Sequence, residues 1–318
     1  MRQNKSLFPN TQSDLPKYLQ EFDLTLECKH LISSLPTERG WITDRFYRYQ
    51  GFWHSLRQIQ AVLPCQHHFQ AQDTDILLVT TPKSGTTWLK AIVFALMNRF
   101  RYNDYTDDNK STTTLCSQRT LTIFGTHLPL VSLPDSVKNS PCKLVYLCRN
   151  PKDTFVSLWH FSNKLRSKGK DMGTLSLTDC FDQFTRGVSV YGPYWDHVLG
   201  YWKASFENPE RVLFLKYEEM KQQPKVELMK LARFLGRPFS LEEETNGAVD
   251  GILKLCSFEN LSNLEVNKTG QISATGFDYN TFYRQGKVGD AENYLSPQMI
   301  EKLDQVTEEK FQGYVLKF

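Results

Sequence analysis

The stretch Thr80-Thr81-Pro82-Lys83-Ser84-Gly85-Thr86-Thr87-Trp88 constrains this 318-residue chain more than any other. It follows Ile76-Leu77-Leu78-Val79, an apolar, β-branched run that predicts a short buried strand. After it, Leu89, Ile92, Val93, Leu96 and Met97 recur at spacings of three and four, predicting a helix over 85–99. A strand, a tight polar turn and a helix aim several backbone N–H groups and a helix N-terminus at one spot, which favours an anion and above all a phosphate. Gly85 lets the backbone approach closely, Lys83 adds a full charge, and Ser84, Thr86 and Thr87 supply hydroxyls. Trp88 sets beside them a flat ring able to stack on a base. The nucleoside-triphosphate loop G-x-x-x-x-G-K-[ST] is not matched, because here the lysine precedes the glycine and no earlier glycine stands in place. For this turn taken alone, an ordinary strand-to-helix connection with a Ser/Thr cap is the competing reading.

The rest of the chain repeats the pattern. Leu121–Phe124 reads as a strand ending at Gly125-Thr126-His127, Lys143–Cys148 as one ending at Arg149, and Arg211–Lys216 as one ending at Tyr217. Helices are predicted from near Pro151, where proline suits a first turn, over 177–205 with a break near Gly192-Pro193, from Glu218, and over 297–311. Strands alternating with helices give an α/β fold, a central parallel sheet with helices on both faces, whose ligands sit at the strands' carboxyl ends. Thr80–Trp88, Thr126–His127, Arg149 and Tyr217 all fall at such ends, which predicts a single site. Residues 1–20 read as a loose tail before one domain over 21–318; an amphipathic helix runs from Leu24 to Leu35, and the polar stretch Arg101–Arg119 is a loop. The aromatic-dense segment from Trp41 to Trp53 either lines a pocket or staples the N-terminal part to the core.

Composition removes several function classes. With 38 basic and 35 acidic residues the net charge is +3, which argues against a general nucleic-acid binder. Seven scattered cysteines form no C-x-x-C pair, so neither a metal site nor a redox motif is indicated, and they suit a reducing compartment. No apolar leader and no run of eighteen apolar residues occurs, so the expectation is a cytoplasmic protein without a membrane partner. The terminal amphipathic segment leaves monomer and homodimer both open.

Four blocks, in order, carry a family resemblance: Pro82-Lys83-Ser84-Gly85-Thr86-Thr87-Trp88-Leu89-Lys90; Cys148-Arg149-Asn150-Pro151-Lys152-Asp153 continuing to Val156-Ser157-Leu158-Trp159-His160-Phe161; Gly192-Pro193-Tyr194-Trp195-Asp196-His197; and Arg284-Gln285-Gly286-Lys287-Val288-Gly289-Asp290. With them the chain resembles the cytosolic sulfotransferases, nearest the plant-type branch, from Leu31 to its C-terminus. The resemblance implies the sulfuryl donor 3′-phosphoadenosine-5′-phosphosulfate (PAPS), no metal, and a small hydroxylated acceptor. It implies that Lys83, Ser84, Gly85, Thr86 and Thr87 cradle the 5′-phosphosulfate. Arg149, Ser157, Arg284, Gln285 and Gly286 then surround the 3′-phosphate, Trp88 and Tyr217 contact adenine, and Ser257 and Phe258 form a further nucleotide-binding segment. His127 would be the general base and Lys83 the charge at the leaving oxygen, with Ser157 holding Lys83 back until acceptor arrives. His160 and His197 read as packing residues or as supports behind the residues that line the site. The sequence departs from the family's pattern at Gly125, where Lys or Asn is usual, at Gln285 for a lysine, at Ala291 for a tryptophan, and in a shorter 101–118 loop. Flavonoids, brassinosteroids and other steroids, hydroxyjasmonates, phenolics and desulfo-glucosinolates are the acceptors to expect. The departures support a second reading, a donor-binding protein with little or no catalysis.

Overall fold

The computed structural model describes residues 22–103, 122–169, 172–273 and 275–318. The predicted tail and most of the predicted 101–119 loop lie outside them. α1 (Leu26–Ser34) is capped by Thr25, whose side chain accepts from the Cys28 N–H. It leads into a three-stranded antiparallel sheet, β1 (Thr37–Arg39), β2 (Arg45–Tyr49) and β3 (Phe52–Ser55), in that order. This sheet was not legible in the sequence, and it resolves the role of the aromatic segment. Trp41, Phe46 and Trp53 are buried in the main core, and β3 is tied to the 191–192 segment by Trp53 N–H to Gly192 O and Tyr191 N–H to Trp53 O, both 2.7 Å. The segment is therefore a staple.

α2 (Leu56–His68) follows, opened by a capping box of Ser55 and Gln58. Then come β4 (Ile76–Thr80), α3 (Thr86–Asn103), β5 (Ile123–Thr126), the short α4 (Asp135–Asn139), β6 (Lys143–Cys148) and α5 (Pro151–Arg166). α6 (Leu177–Thr185) and α7 (Tyr194–Glu207) are separated by an irregular 186–193 segment, a wider break than Gly192-Pro193 alone suggests. β7 (Val212–Lys216), α8 (Tyr217–Gln222) and α9 (Pro224–Phe234) precede four short helices, α10 (Leu241–Thr245), α11 (Ala248–Leu255), α12 (Phe258–Asn263) and α13 (Glu265–Thr269), and α14 (Pro297–Phe311) closes the described fold.

The central sheet is parallel with strand order β5-β4-β6-β7. Alternation along each strand decides which face a residue serves. Leu77, Val79, Leu144, Tyr146, Cys148, Val212 and Phe214 pack with α5, α6, α7 and α14 on one face. Ile76, Leu78, Val145, Leu147 and Leu215 pack with α3, α9 and α11 on the other. Both faces are buried, which is why the strands read as near-continuous apolar runs. The register sets Val79 against Thr126, Thr80 against Leu147 and Cys148 against Lys216, so four strand ends finish on one level.

Candidate active site

β5 delivers His127 to the end of β4. Its Nδ1 lies 2.8 Å from the Thr80 carbonyl oxygen and 3.2 Å from Thr80 Oγ1. A carbonyl oxygen only accepts, so Nδ1 carries the proton of the neutral ring and the Nε2 lone pair is left for an incoming hydroxyl. Thr80 Oγ1 is in turn 2.6 Å from Thr86 Oγ1 at the start of α3, so His127 and the 80–88 loop belong to one hydrogen-bonded chain. Burial pushes the imidazole down to about 4; the Thr80 hydrogen bond opposes this, and the charges of Lys90 and Lys83 add to it. The ring is neutral at cellular pH, as a general base must be.

The backbone that carries this ring is held from behind. His197 Nε2 is 3.0 Å from the His127 carbonyl oxygen and therefore donates to it, which leaves Nδ1 to accept from the Tyr146 hydroxyl at 3.0 Å. Tyr201 donates to the Leu128 carbonyl at 2.9 Å and stacks on Tyr146 with ring centroids 4.4 Å apart. Beside the ring stands Tyr191, its backbone left-handed at φ 59° and its ring 5.6 Å from that of His127. His54 meets the Tyr191 ring edge to face at 5.3 Å and is fully buried with neither nitrogen hydrogen-bonded.

The predicted phosphate loop is built as a tight curl. Lys83 and Gly85 both take positive φ, 70° and 104°, and a Cβ on Gly85 would lie 3.0 Å from Tyr217 Cδ2 and 3.2 Å from Leu147 Cδ2. Only glycine fits there. Ser84 is buried with its hydroxyl 2.5 Å from Thr81 Oγ1, so its side chain braces the turn, and Thr87 follows on the first turn of α3. Burial lowers the Lys83 amine to about 7, and Arg284, Arg149 and Lys164 push the same way. Cations converging on a buried amine make a site that demands an anion. No hydrogen bond joins Lys83 to Ser157; the ammonium instead rests 4.4 Å from the Phe161 ring centroid and 5.6 Å from that of Phe282.

Arg149 and Arg284 form the second half of the site. Arg149 Nη2 donates to Asp153 Oδ2 at 3.1 Å and to the Lys287 carbonyl at 2.6 Å, its guanidinium lies 4.7 Å over the Tyr217 ring, and its Nε is buried without a partner. Arg284 Nη1 sits 2.5 Å from Asp290 Oδ2 but out of hydrogen-bond alignment, and its Nε too is buried and unpartnered. Two arginines with unspent buried donors fit a phosphate. Asp153 also accepts from the Gly289 and Ala291 N–H groups, each at 2.9 Å, and so fastens the late block to α5, on which Ser157 lies buried. Tyr217 donates to the Gly286 carbonyl at 3.0 Å and packs 5.3 Å from Trp88. Gly286 has φ 64°, and any Cβ there would run into the Phe258 ring. The structure thus brings Lys83, Arg149, Tyr217, Phe258, Arg284 and Gly286 around one space. Ser257 is occupied as the cap of α12, accepting from the Asn260 N–H at 3.1 Å, and Gln285 is exposed. Of the two readings of His197, the supporting one holds through its bond to the His127 carbonyl, whereas the roles of Asp153, Phe161, Phe282 and Tyr191 were not foreseen. Asp153 stood inside a quoted block, but a carboxylate in a first helical turn reads as a partner of the helix dipole.

The sulfotransferase domain model matches residues 73–315, a span that contains every strand end just described. Arabidopsis thaliana cytosolic sulfotransferase 13 is 46% identical over 97% of this chain and 98% of its own length, and cytosolic sulfotransferase 12 is 45% identical over 97% and 99%. This chain belongs to the sulfotransferase family. It is a sulfotransferase of the plant cytosolic type. A solved Arabidopsis structure, described as a putative steroid sulphotransferase, is 39% identical with a TM-score of 0.69, covering 94% of this chain and 99% of that one. A mouse sulfotransferase solved in complex with PAP is 27% identical with a TM-score of 0.66, covering 85% and 96%. Among the described residues of this sulfotransferase no helix is long and apolar enough to cross a membrane.

Proposed function

We propose that this sulfotransferase moves a sulfuryl group from PAPS to a hydroxyl of a small organic acceptor in the cytosol, with His127 as base and Lys83 at the leaving oxygen. The observation that carries the reading is the chain Thr86–Thr80–His127, which sets a neutral imidazole with a free Nε2 at the same strand ends as the Lys83 loop. PAPS supplies the sulfuryl group and a phosphate as leaving group. His127 Nε2 takes the acceptor's hydroxyl proton as that oxygen bonds to sulfur. Lys83 meets the negative charge left on the phosphate oxygen when the sulfur–oxygen bond breaks, and an anion in the loop favours its protonated form. Gly85, Ser84, Thr86 and Thr87 keep the loop curled around the 5′ group, Arg149, Arg284 and Ser157 hold the 3′-phosphate, and Trp88, Tyr217 and Phe258 flank the base. Gly286 lets Phe258 close over it, with Gln285 at the rim and Ser257 fixing the start of that helix.

The test is turnover of labelled PAPS with purified protein across steroid alcohols, flavonols, simple phenols, hydroxyjasmonate and desulfo-glucosinolates, with His127→Ala alongside and calorimetric binding of PAP. Steroid alcohols go first because of the 39% identical Arabidopsis structure. Transfer to one class, lost in the variant while PAP still binds, is expected. Tight PAP binding with no transfer to any acceptor would instead establish a non-catalytic donor binder.

A further inference from the structure

Gly125 lies on the edge strand β5, two residues before His127, and faces the same side as Ile123, the side on which α3 packs. Its missing side-chain volume is filled. A Cβ built on Gly125 would overlap Lys90 Cε and lie 2.7 Å from Lys90 Nζ. Lys90 stands one helical turn beyond Thr86, the residue that joins α3 to Thr80 and His127. Side chains on a helix lean toward its N-terminus, so the Lys90 stem runs from α3 toward the loop and the strand ends. Its charge reaches the imidazole of His127. Among the described residues Lys90 has no carboxylate partner, although lysines elsewhere on the molecule, such as Lys152 with Asp304 at 2.5 Å, do find one.

We propose that Lys90 is a further positioning residue of sulfuryl transfer, an ammonium brought to β5 from α3 through the gap at Gly125. The inference rests on the transfer reading above. During transfer, negative charge is shared among the leaving phosphate, the sulfuryl oxygens and the acceptor oxygen losing its proton to His127. Lys83 meets that charge from the loop; Lys90 meets it from the strand that carries the base, acting through the field across His127. Positions 90 and 125 are then alternative attachment points for one cation, because the flexible end of Lys90 lies where a side chain at 125 would begin.

Four variants and two readouts test this. Lys90→Met keeps the stem and removes the charge; since Lys90 is exposed, the fold has no reason to change. Its kcat is expected to fall about tenfold, less than is lost with a donor in direct contact, with PAP affinity unchanged. Lys90→Arg should retain most of kcat. Gly125→Lys alone displaces the flexible end of Lys90 and supplies the ammonium from β5, so it should keep most of kcat, and Lys90→Met/Gly125→Lys should recover what Lys90→Met loses. The second readout needs no substrate. The groups facing the His127 imidazole are Lys90 on α3 and Lys83 in the loop, His197 on α7 behind its carbonyl, itself pushed down to about 4, and the ring of Tyr191. An NMR titration of His127 should therefore move up in Lys90→Met and return toward the parent value in the double variant. A Lys90→Met kcat within about twofold of the parent, or a His127 titration that does not move, would overturn the proposal. Absence of turnover in the parent protein would refute the transfer reading alone, and the titration would still decide on Lys90.

Discussion

Asp153→Ala is the substitution on which the assembly of the nucleotide half of the site turns. The Asp153 carboxylate is buried and accepts three hydrogen bonds, from Arg149 Nη2 at 3.1 Å and from the N–H groups of Gly289 and Ala291 at 2.9 Å each. It thus joins Arg149 at the end of β6 to the block carrying Arg284 and Gly286 through a carboxylate, beside the direct bond from Arg149 Nη2 to the Lys287 carbonyl at 2.6 Å. Removing it leaves the buried Arg149 guanidinium with the Lys287 carbonyl but no counter-charge, and two backbone donors without acceptors; breaking a buried ion pair from one side costs about 3–5 kcal/mol. Asp153→Asn keeps one oxygen for Arg149 and Gly289 but turns an NH2 toward the Ala291 N–H, so about 1–3 kcal/mol is expected. Urea unfolding followed by tryptophan fluorescence should therefore rank parent, Asn, Ala in falling stability. Calorimetry at a urea-free, fully folded temperature should show PAP affinity falling by about tenfold or more in the Ala variant, since Arg149 and the late block no longer share a support. If Asp153→Ala leaves both the unfolding midpoint and PAP affinity at parent values, the carboxylate is not the strut described here.

Other consequences follow from the same geometry. Burial holds His54, His127 and His197 at about 4 against an ordinary 6.5, so the unfolded chain binds more protons between those values and stability rises with pH across that window. As pH falls from 6.5 toward 4, up to about 3 kcal/mol per imidazole is lost; denaturation midpoints at a series of pH values should show it, His54→Phe should flatten the slope by about a third, and a slope that is already flat in the parent would refute it. Gly286→Ala puts a methyl into the Phe258 ring at a left-handed backbone, so PAP affinity should fall by about tenfold while His127-dependent chemistry at saturating donor persists; calorimetry and kcat together check it. Tyr146→Phe strips the donor from His197 Nδ1, and leaving a buried acceptor unmet costs about 1–3 kcal/mol; kcat should fall with donor KM unchanged, and an unaltered kcat would mean that His127 is held without this relay.

How much of this the residues disclosed can be argued strand by strand. The central sheet was legible because both of its faces are buried, which makes each strand a compact apolar run closed by a polar residue. The one site was legible for the same reason, since every such run ends in a residue with chemistry. β1 to β3 were not, because Thr37-Glu38-Arg39 has no strand character and Arg45-Phe46-Tyr47-Arg48-Tyr49 mixes charge with aromatics. Pairing and the hydrogen bonds to residues 191 and 192 form that sheet, and those partners are remote in sequence. The resting place of Lys83 was hidden likewise, for Phe161 and Phe282 come together only when α5 meets the segment after α13. His197 left packing and a supporting role both open, because its helix face is apolar; the folded chain decides for support by setting the His127 carbonyl opposite its Nε2.

The departures from the family pattern look different once volume replaces sequence position. At 291 the alanine is buried, and its N–H, which any residue but proline would supply, goes to Asp153. An aromatic ring nearby comes from Tyr294, packed 4.6 Å from His160 and lying 5.7 Å under the Arg284 guanidinium. At 285 the glutamine side chain is exposed, and the buried Arg149 and the half-buried Arg284 still supply two guanidinium groups to that half of the site. At 125 the absent side chain is the condition for Lys90 to occupy its space. A site needs a charge or a ring in a given volume and is indifferent to which residue provides it. Of the four departures that by sequence argued for a silent donor binder, most of the 101–118 loop lies outside the described residues, and the other three are, in space, two substitutions by neighbours and one change at the edge. That arrangement favours an enzyme that turns over.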